Sequence, residues 1–191
     1  LTKADLIAFA HQWRSRTGLF LIGGIAAYNM ALIALMTMMP FFVQRTHGFT
    51  PAQAGIAFAL SMLFGSIGQP VIGHISDRHG RFGIFALCSV IAALMAFGAV
   101  FMSGALLVVG LLIAAMAILV AIRSGVLAMA VDHSSKHEAT AMGFVFVVLD
   151  GVGALGAVLA GIAGDFNLVA SFALAGALSL GAVGLIAAAR R

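Results

Sequence analysis

The sequence predicts an all-α membrane protein, a bundle of six transmembrane helices, and three observations predict it. Hydrophobic residues make up 63% of the 191 and charged residues only 8%, whereas a soluble domain carries about 25% charge to wet its surface. Mean hydropathy is +1.16. Six apolar segments follow one another, each near the ~20 residues that cross a bilayer core. Ten basic and six acidic side chains cannot clothe a globule of this size, so the remaining surface faces lipid.

Residues 1–16 come first. Leu6, Phe9, Ala10 and Trp13 fall at helical spacing, with Lys3, Asp5, His11, Arg14 and Arg16 elsewhere in the segment. That pattern reads as an amphipathic cytoplasmic linker lying on the membrane surface, with Trp13 at headgroup level. A plain solvated linker is the alternative. The bundle proper occupies residues 17–191, with spans at about Thr17–Met39, Ala52–Ile75, Phe82–Met102, Ala105–Val131, Thr140–Ala163 and Asn167–Ala189. Twenty-three glycines, and small-xxx-small pairs such as Ala157/Gly161 and Ala160/Gly164, favour close helix contact. A three-plus-three inverted repeat is compatible with six spans.

The connectors fix the orientation. Lys3, Arg14, Arg16, Arg78, Arg81, Lys136, Arg190 and Arg191 lie on one side of the membrane, and Arg45 alone lies on the other. By the positive-inside rule both termini are cytoplasmic, which an even number of spans requires. The first span is too long, and its flank wrong, for a cleavable signal. The chain begins at Leu1 rather than Met, and the expectation is an excerpt of a longer protein.

Between the second and third spans stands Gly73-His74-Ile75-Ser76-Asp77-Arg78-His79-Gly80-Arg81. A glycine near the end of a span allows close helix approach, and Gly80 permits a sharp reversal. Asp77 is suited to accept from backbone N–H groups at a helix start, while Arg78 and Arg81 hold the loop at the cytoplasmic face. This segment resembles the signature loop of the major facilitator superfamily. Gly73, Asp77, Arg78, Gly80 and Arg81 match, Ile75 and Ser76 are mild departures, and Phe82 replaces a common second basic residue. The glycine-rich stretch Gly151, Gly153, Gly156, Gly161, Gly164 also resembles the fifth helix of a family half. The lead-in resembles the central linker of a twelve-helix carrier. Leu112 stands near the place of an arginine typical of the N-terminal half, and its presence fits a C-terminal half.

The resemblance implies one half of a transporter fold and secondary active transport of a small solute by alternating access, driven by an ion gradient, protons first, or by the solute gradient itself. The implied setting is a bacterial inner membrane. The implied partners are the lipid bilayer, an N-terminal six-helix half (in the same polypeptide or from a second copy), a small-molecule substrate and protons. It also implies that the five-residue cluster Gly73, Asp77, Arg78, Gly80 and Arg81 latches one conformation; a simple positive-inside anchor is the alternative. A half-size scaffold or regulatory module, or a homodimeric half-transporter, remains open as a different reading of the whole chain.

Charges inside spans cost about 2.5–3.5 kcal/mol on insertion scales and mark functional sites. Arg123 lies about 13 Å and Asp150 about 18 Å from the cytoplasmic ends of consecutive antiparallel spans, at 1.5 Å per residue. They therefore reach similar levels. Tyr28, Asn29 and Gln69 fall in the same layer, and with Arg123 and Asp150 they are the candidate substrate or coupling residues. Each has another reading. Arg123 and Asp150 form a pair that orders the helices, or Arg123 snorkels to the headgroups. Asn29 and Gln69 are interhelical hydrogen-bond glue, and Tyr28 is a packing residue.

Other chemistries find no footing. Gly65-Ser66-Ile67-Gly68 has no histidine at its depth to activate the serine, and no phosphate-binding loop occurs. The histidines lie in loops or at a helix end without metal-ligand spacing, so neither a metal nor another cofactor is expected. No basic stripe with interleaved aromatics suggests nucleic acid. Cys88 sits in an apolar run as a packing or lipid-facing residue. The chain is not expected to be an enzyme.

Overall fold

A computed structural model describes residues 9–134 and 138–191. The first half of the lead-in, including Lys3, Asp5 and Leu6, and the loop residues Lys136 and His137, lie outside the described residues. Among the described residues six helices are long and apolar enough to cross a membrane: α1 (Arg16–His47), α2 (Pro51–His79), α3 (Arg81–Ala99), α4 (Ala105–His133), α5 (Ala139–Phe166) and α6 (Leu168–Ala189).

Local chemistry sets most of the ends. Ser15 caps α1 by accepting from the Gly18 N–H at 3.1 Å, and Gly48 stops it in the left-handed region at φ 69°. The helix does not end at Met39. It runs through Pro40 to His47, because proline removes only one donor and a transmembrane helix tolerates that loss. At 32 residues α1 spans about 48 Å, well beyond the ~30 Å hydrocarbon core. Thr50, Pro51 and Gln53 open α2 with a reciprocal capping box. Gly80, at φ 93°, alone separates α2 from α3. Asn167 makes the turn into α6 by accepting from the Val169 N–H at 2.9 Å.

Two helices are irregular in their middles. α4 is interrupted at Ile122, between Ala105–Ala121 and Arg123–His133. α5 contains a π turn at Val148–Val152 before resuming as Leu155–Phe166.

α1 and α4 are the most enclosed spans and α2 the least. α1 packs along α6, and its flanks meet α5, α2 and α4; α3 bridges α4 and α6. Glycines make three of these crossings close. A Cβ on Gly24 would stand 2.4 Å from Ile186 on α6, and one on Gly65 would stand 2.5 Å from Val120 on α4. One on Gly156 would stand 2.2 Å from the Met30 carbonyl oxygen on α1. The core is aliphatic with a few aromatics: Ile25, Leu35, Met39, Leu112, Met116 and Phe172 are fully enclosed.

The described part of the lead-in begins with a helical stretch, residues 9–13, that docks onto the bundle at the end of α4. Trp13 is 4% exposed and donates its indole N–H to the Ser134 hydroxyl at 2.9 Å. Its ring meets His133 and Phe144 edge-on, and Gln12 donates to the His133 carbonyl. The apolar ring and the polar N–H of the tryptophan thus both find protein partners.

Candidate functional site

Two polar clusters stand out, one in the middle of the spans and one at the end of the bundle where α2, α3 and α4 meet.

The mid-span cluster is built on the two irregular helices. Arg123 begins the second part of α4, directly after the break at Ile122, and Asp150 lies at the centre of the π turn in α5. Their side chains meet, with Arg123 Nη2 3.5 Å from Asp150 Oδ1. The Arg123 guanidinium also lies 6.0 Å from the Phe146 ring centroid. The Asp150 side chain is 68% exposed and that of Arg123 31%, so the pair sits on an open face of the bundle rather than inside it.

Tyr28, Asn29 and Gln69 stand behind this pair. Tyr28 is fully buried, and its hydroxyl donates to the Leu119 carbonyl just before the break in α4. Asn29, 1% exposed, donates through Nδ2 to the Leu149 carbonyl in the π turn of α5. Gln69 donates through Nε2 to the Val120 carbonyl at 3.3 Å, and the Ser124 hydroxyl lies 3.5 Å from the Ala121 carbonyl. The Leu119 and Val120 carbonyls before Ile122 thus accept from side chains of other helices, while the single Ser124 hydroxyl hydrogen is shared between the Ala121 carbonyl and the nearer Gln69 carbonyl at 3.3 Å. An interrupted helix in a bilayer persists only where its freed backbone groups find such donors. Of the five residues the sequence groups at this depth, the structure gives Arg123 and Asp150 to the open face. Tyr28, Asn29 and Gln69 donate to the backbone of the helices that carry them.

At the other cluster, Asp77 takes its hydrogen bond from a side chain, not from a helix start: Arg81 Nε lies 3.0 Å from Asp77 Oδ1 across Gly80. The same guanidinium reaches α4, with Nη1 2.5 Å from Asp132 Oδ2. Arg81 thereby ties the α2–α3 turn to the end of α4. Gly73 faces Ser124 of α4, to which an added Cβ would stand 3.5 Å away. Arg78 is exposed. A cavity of about 680 Å³ opens beside the cluster, lined by Asp77, Arg81, Asp132 and Arg190 among others. Sequence reasoning did not single out Asp132 as a partner. The signal was present, since it is the acidic residue ending the next span on the same side of the membrane.

A search of curated proteins found no match, and a search of solved structures found none. A sequence model of the Major Facilitator Superfamily matches residues 8–191, nearly the whole chain and all six helices. Together with the six-helix, strand-free architecture of the described residues and the glycine-split charged turn between α2 and α3, that match decides the family: the chain belongs to the Major Facilitator Superfamily of membrane transporters.

Proposed function

We propose that this chain is one six-helix half of a carrier that moves a small solute by alternating access. The observation that carries this reading is the Arg123–Asp150 pair, an ion pair at mid-helix on an open face of a membrane bundle. Lipid cannot cover such a face cheaply, because each charge at that depth costs about 2.5–3.5 kcal/mol to insert. A second protein surface and a hydrated path between the two can cover it. A six-helix N-terminal half, in the same polypeptide or from a second copy, is the partner of matching architecture, and the pair then lies where the halves meet.

In this reading Arg123 and Asp150 face the solute path, backed by Tyr28, Asn29 and Gln69. Asp150 is the group suited to carry a proton and Arg123 its counter-charge, which makes coupling to a proton gradient the favoured energy source. The Asp77–Arg81–Asp132 cluster, with Gly73, Arg78 and Gly80 shaping its turn, latches the end of the path and opens as the halves rock. Under the charge bias of the loops this end is cytoplasmic, with both termini on that side, in a bacterial inner membrane.

The test is flux in vesicles made with the full-length protein and a trapped pH-sensitive dye. A proton gradient is imposed, and sugars, carboxylates and organic cations are added in turn. An active compound is expected to move protons with the parent protein. Asp150→Asn is expected to abolish gradient-driven accumulation while retaining exchange of that compound. A folded Asp150→Asn protein that accumulates the compound normally would remove Asp150 from the coupling role.

A further inference from the structure

Tyr28 and Asn29 are neighbours in sequence on α1, yet they point to different helices. Tyr28 donates to the Leu119 carbonyl of α4, four residues before Arg123. Asn29 donates to the Leu149 carbonyl of α5, the residue before Asp150. Successive residues on a helix diverge by about 100°, which lets one turn of α1 address two flanking helices at one depth. Each bond lands where its target helix departs from regular geometry, at the break around Ile122 and at the π turn over Val148–Val152.

We propose that Tyr28 and Asn29 are positioning residues, which together hold the break in α4 and the π turn in α5 so that the Arg123 guanidinium faces the Asp150 carboxylate. This rests on the reading that the pair is the polar centre of the carrier. The geometric basis is the register of the two helices. A π turn holds one residue more than an α turn, so relaxing it to regular helix swings the adjoining residues by roughly 100°. Asp150 cannot stay opposite Arg123 through such a rotation. The break in α4 fixes Arg123 in the same way, because Arg123 is the first residue after it.

The surroundings fit the assignment. Gly153, one turn after Leu149, leaves room for the Asn29 amide, since an added Cβ would stand 2.3 Å from Asn29 Nδ2. Gly156 brings α5 against the α1 backbone at Met30, the next residue along. The Asn29 Oδ1 is buried with no hydrogen-bond partner among the described residues. The polarity of this side chain is therefore used through its donor alone, on Leu149. Gln69 adds a third donor from α2, to Val120.

The proposal is tested without any solute, so its outcome is separate from that of the transport reading. The full-length protein in lipid nanodiscs is treated with dicyclohexylcarbodiimide, and the rate of modification at Asp150 is followed by mass spectrometry, with Asp165 as internal reference. A carboxyl group released from its guanidinium reacts faster than one held beside it. Arg123→Ala sets the upper rate. Tyr28→Phe and Asn29→Leu are each expected to raise the Asp150 rate about fivefold, the size of an ordinary pairwise coupling. Neither is expected to add anything in the Arg123→Ala background. An unchanged Asp150 rate in folded single variants overturns the proposal. So does an effect that adds in full to Arg123→Ala, which would assign both residues to general packing. If Asn29→Leu fails to fold, Gly153→Ala displaces the same amide and is read in the same way, while Tyr28→Phe removes a single atom.

Discussion

Arg81 reaches Asp77 through Nε at 3.0 Å and Asp132 through Nη1 at 2.5 Å, so one guanidinium joins the turn between α2 and α3 to the end of α4. Two different nitrogens of one planar group are in use. Lysine has a single charged nitrogen and cannot reproduce that fork. Arg81→Lys is therefore expected to keep at most one of the two contacts. Hydrogen–deuterium exchange should rise around Gly80 and at the end of α4 in Arg81→Lys nearly as much as in Arg81→Ala. The two carboxylates are 60% and 63% exposed, and exposed pairs of this kind are worth about 0.2–1 kcal/mol. The unfolding midpoint in detergent should hardly move. A large stability loss with unchanged local exchange would show a packing residue instead of a latch.

Glycines along α5 divide into two kinds. A Cβ on Gly156 would stand 2.2 Å from the Met30 carbonyl oxygen, a backbone atom that cannot turn aside, while one on Gly161 would meet nothing within 4 Å. Gly156→Ala is expected to destabilise by about 1–3 kcal/mol, as overpacking does. Gly161→Ala is expected to be neutral or to stabilise by up to about 1 kcal/mol through helix propensity. Unfolding of both variants in mixed detergent micelles checks the contrast, and equal effects would contradict it.

That contrast also shows how far the sequence could be read. Hydropathy and the charge bias of the connectors carry the six spans, because crossing a bilayer needs long apolar runs whatever the packing. The depth of Arg123 and Asp150 could be counted from the loops, and the structure brings their side chains together. Spacing alone did not rank the glycines. Of the two small-xxx-small pairs, Ala160/Gly164 is packed, with Ala160 buried and a Cβ on Gly164 set to stand 2.9 Å from Ser171 Oγ of α6, whereas Gly161 of Ala157/Gly161 meets nothing and Gly156, outside both pairs, makes the tightest contact with α1. Which face of a lipid-exposed helix meets a neighbour is set by tertiary contact, and here nearly every position is apolar. The break at Ile122 and the π turn at Val148–Val152 left no mark of their own either. They exist because donors on other helices satisfy the freed carbonyls, and no local pattern encodes a donor 91 or 120 residues away. Tyr28, Asn29 and Gln69 were visible as polar residues at one depth, but their bonds to the backbone were not.

The lead-in helix offers a local test. Trp13 is held by its hydrogen bond to Ser134 and by its edge contacts with His133 and Phe144. Removing one neutral hydrogen bond costs about 0.5–1.5 kcal/mol, whereas removing a buried aromatic ring costs about 3–5 kcal/mol. Ser134→Ala should leave the segment docked, and Trp13→Ala should release it. Arg14 and Arg16 follow the tryptophan directly, so limited trypsin digestion reads the difference. Cleavage after these arginines is expected to accelerate strongly in Trp13→Ala and only slightly in Ser134→Ala. Equal cleavage in parent and Trp13→Ala proteins would mean that the docking contributes nothing to order.

Removing the Arg123–Asp150 pair one side chain at a time, and then together, separates a part in folding from the proposed part in transport. Removing one partner leaves an uncompensated charge at mid-membrane, while removing both leaves an apolar surface that lipid or a partner half can cover. Arg123→Leu and Asp150→Leu should each lower the yield and the unfolding midpoint in detergent. The double variant should recover most of that loss, giving a favourable coupling of about 0.5–3 kcal/mol in a double-mutant cycle. The 3.5 Å separation and the exposure of Asp150 place the expected value at the low end of that range. Gradient-driven accumulation should not recover with the fold, because the leucine pair has neither a proton-binding group nor a counter-charge. A double variant that regains both stability and accumulation would mean that the pair only orders the helices, and would remove it from the proposed coupling.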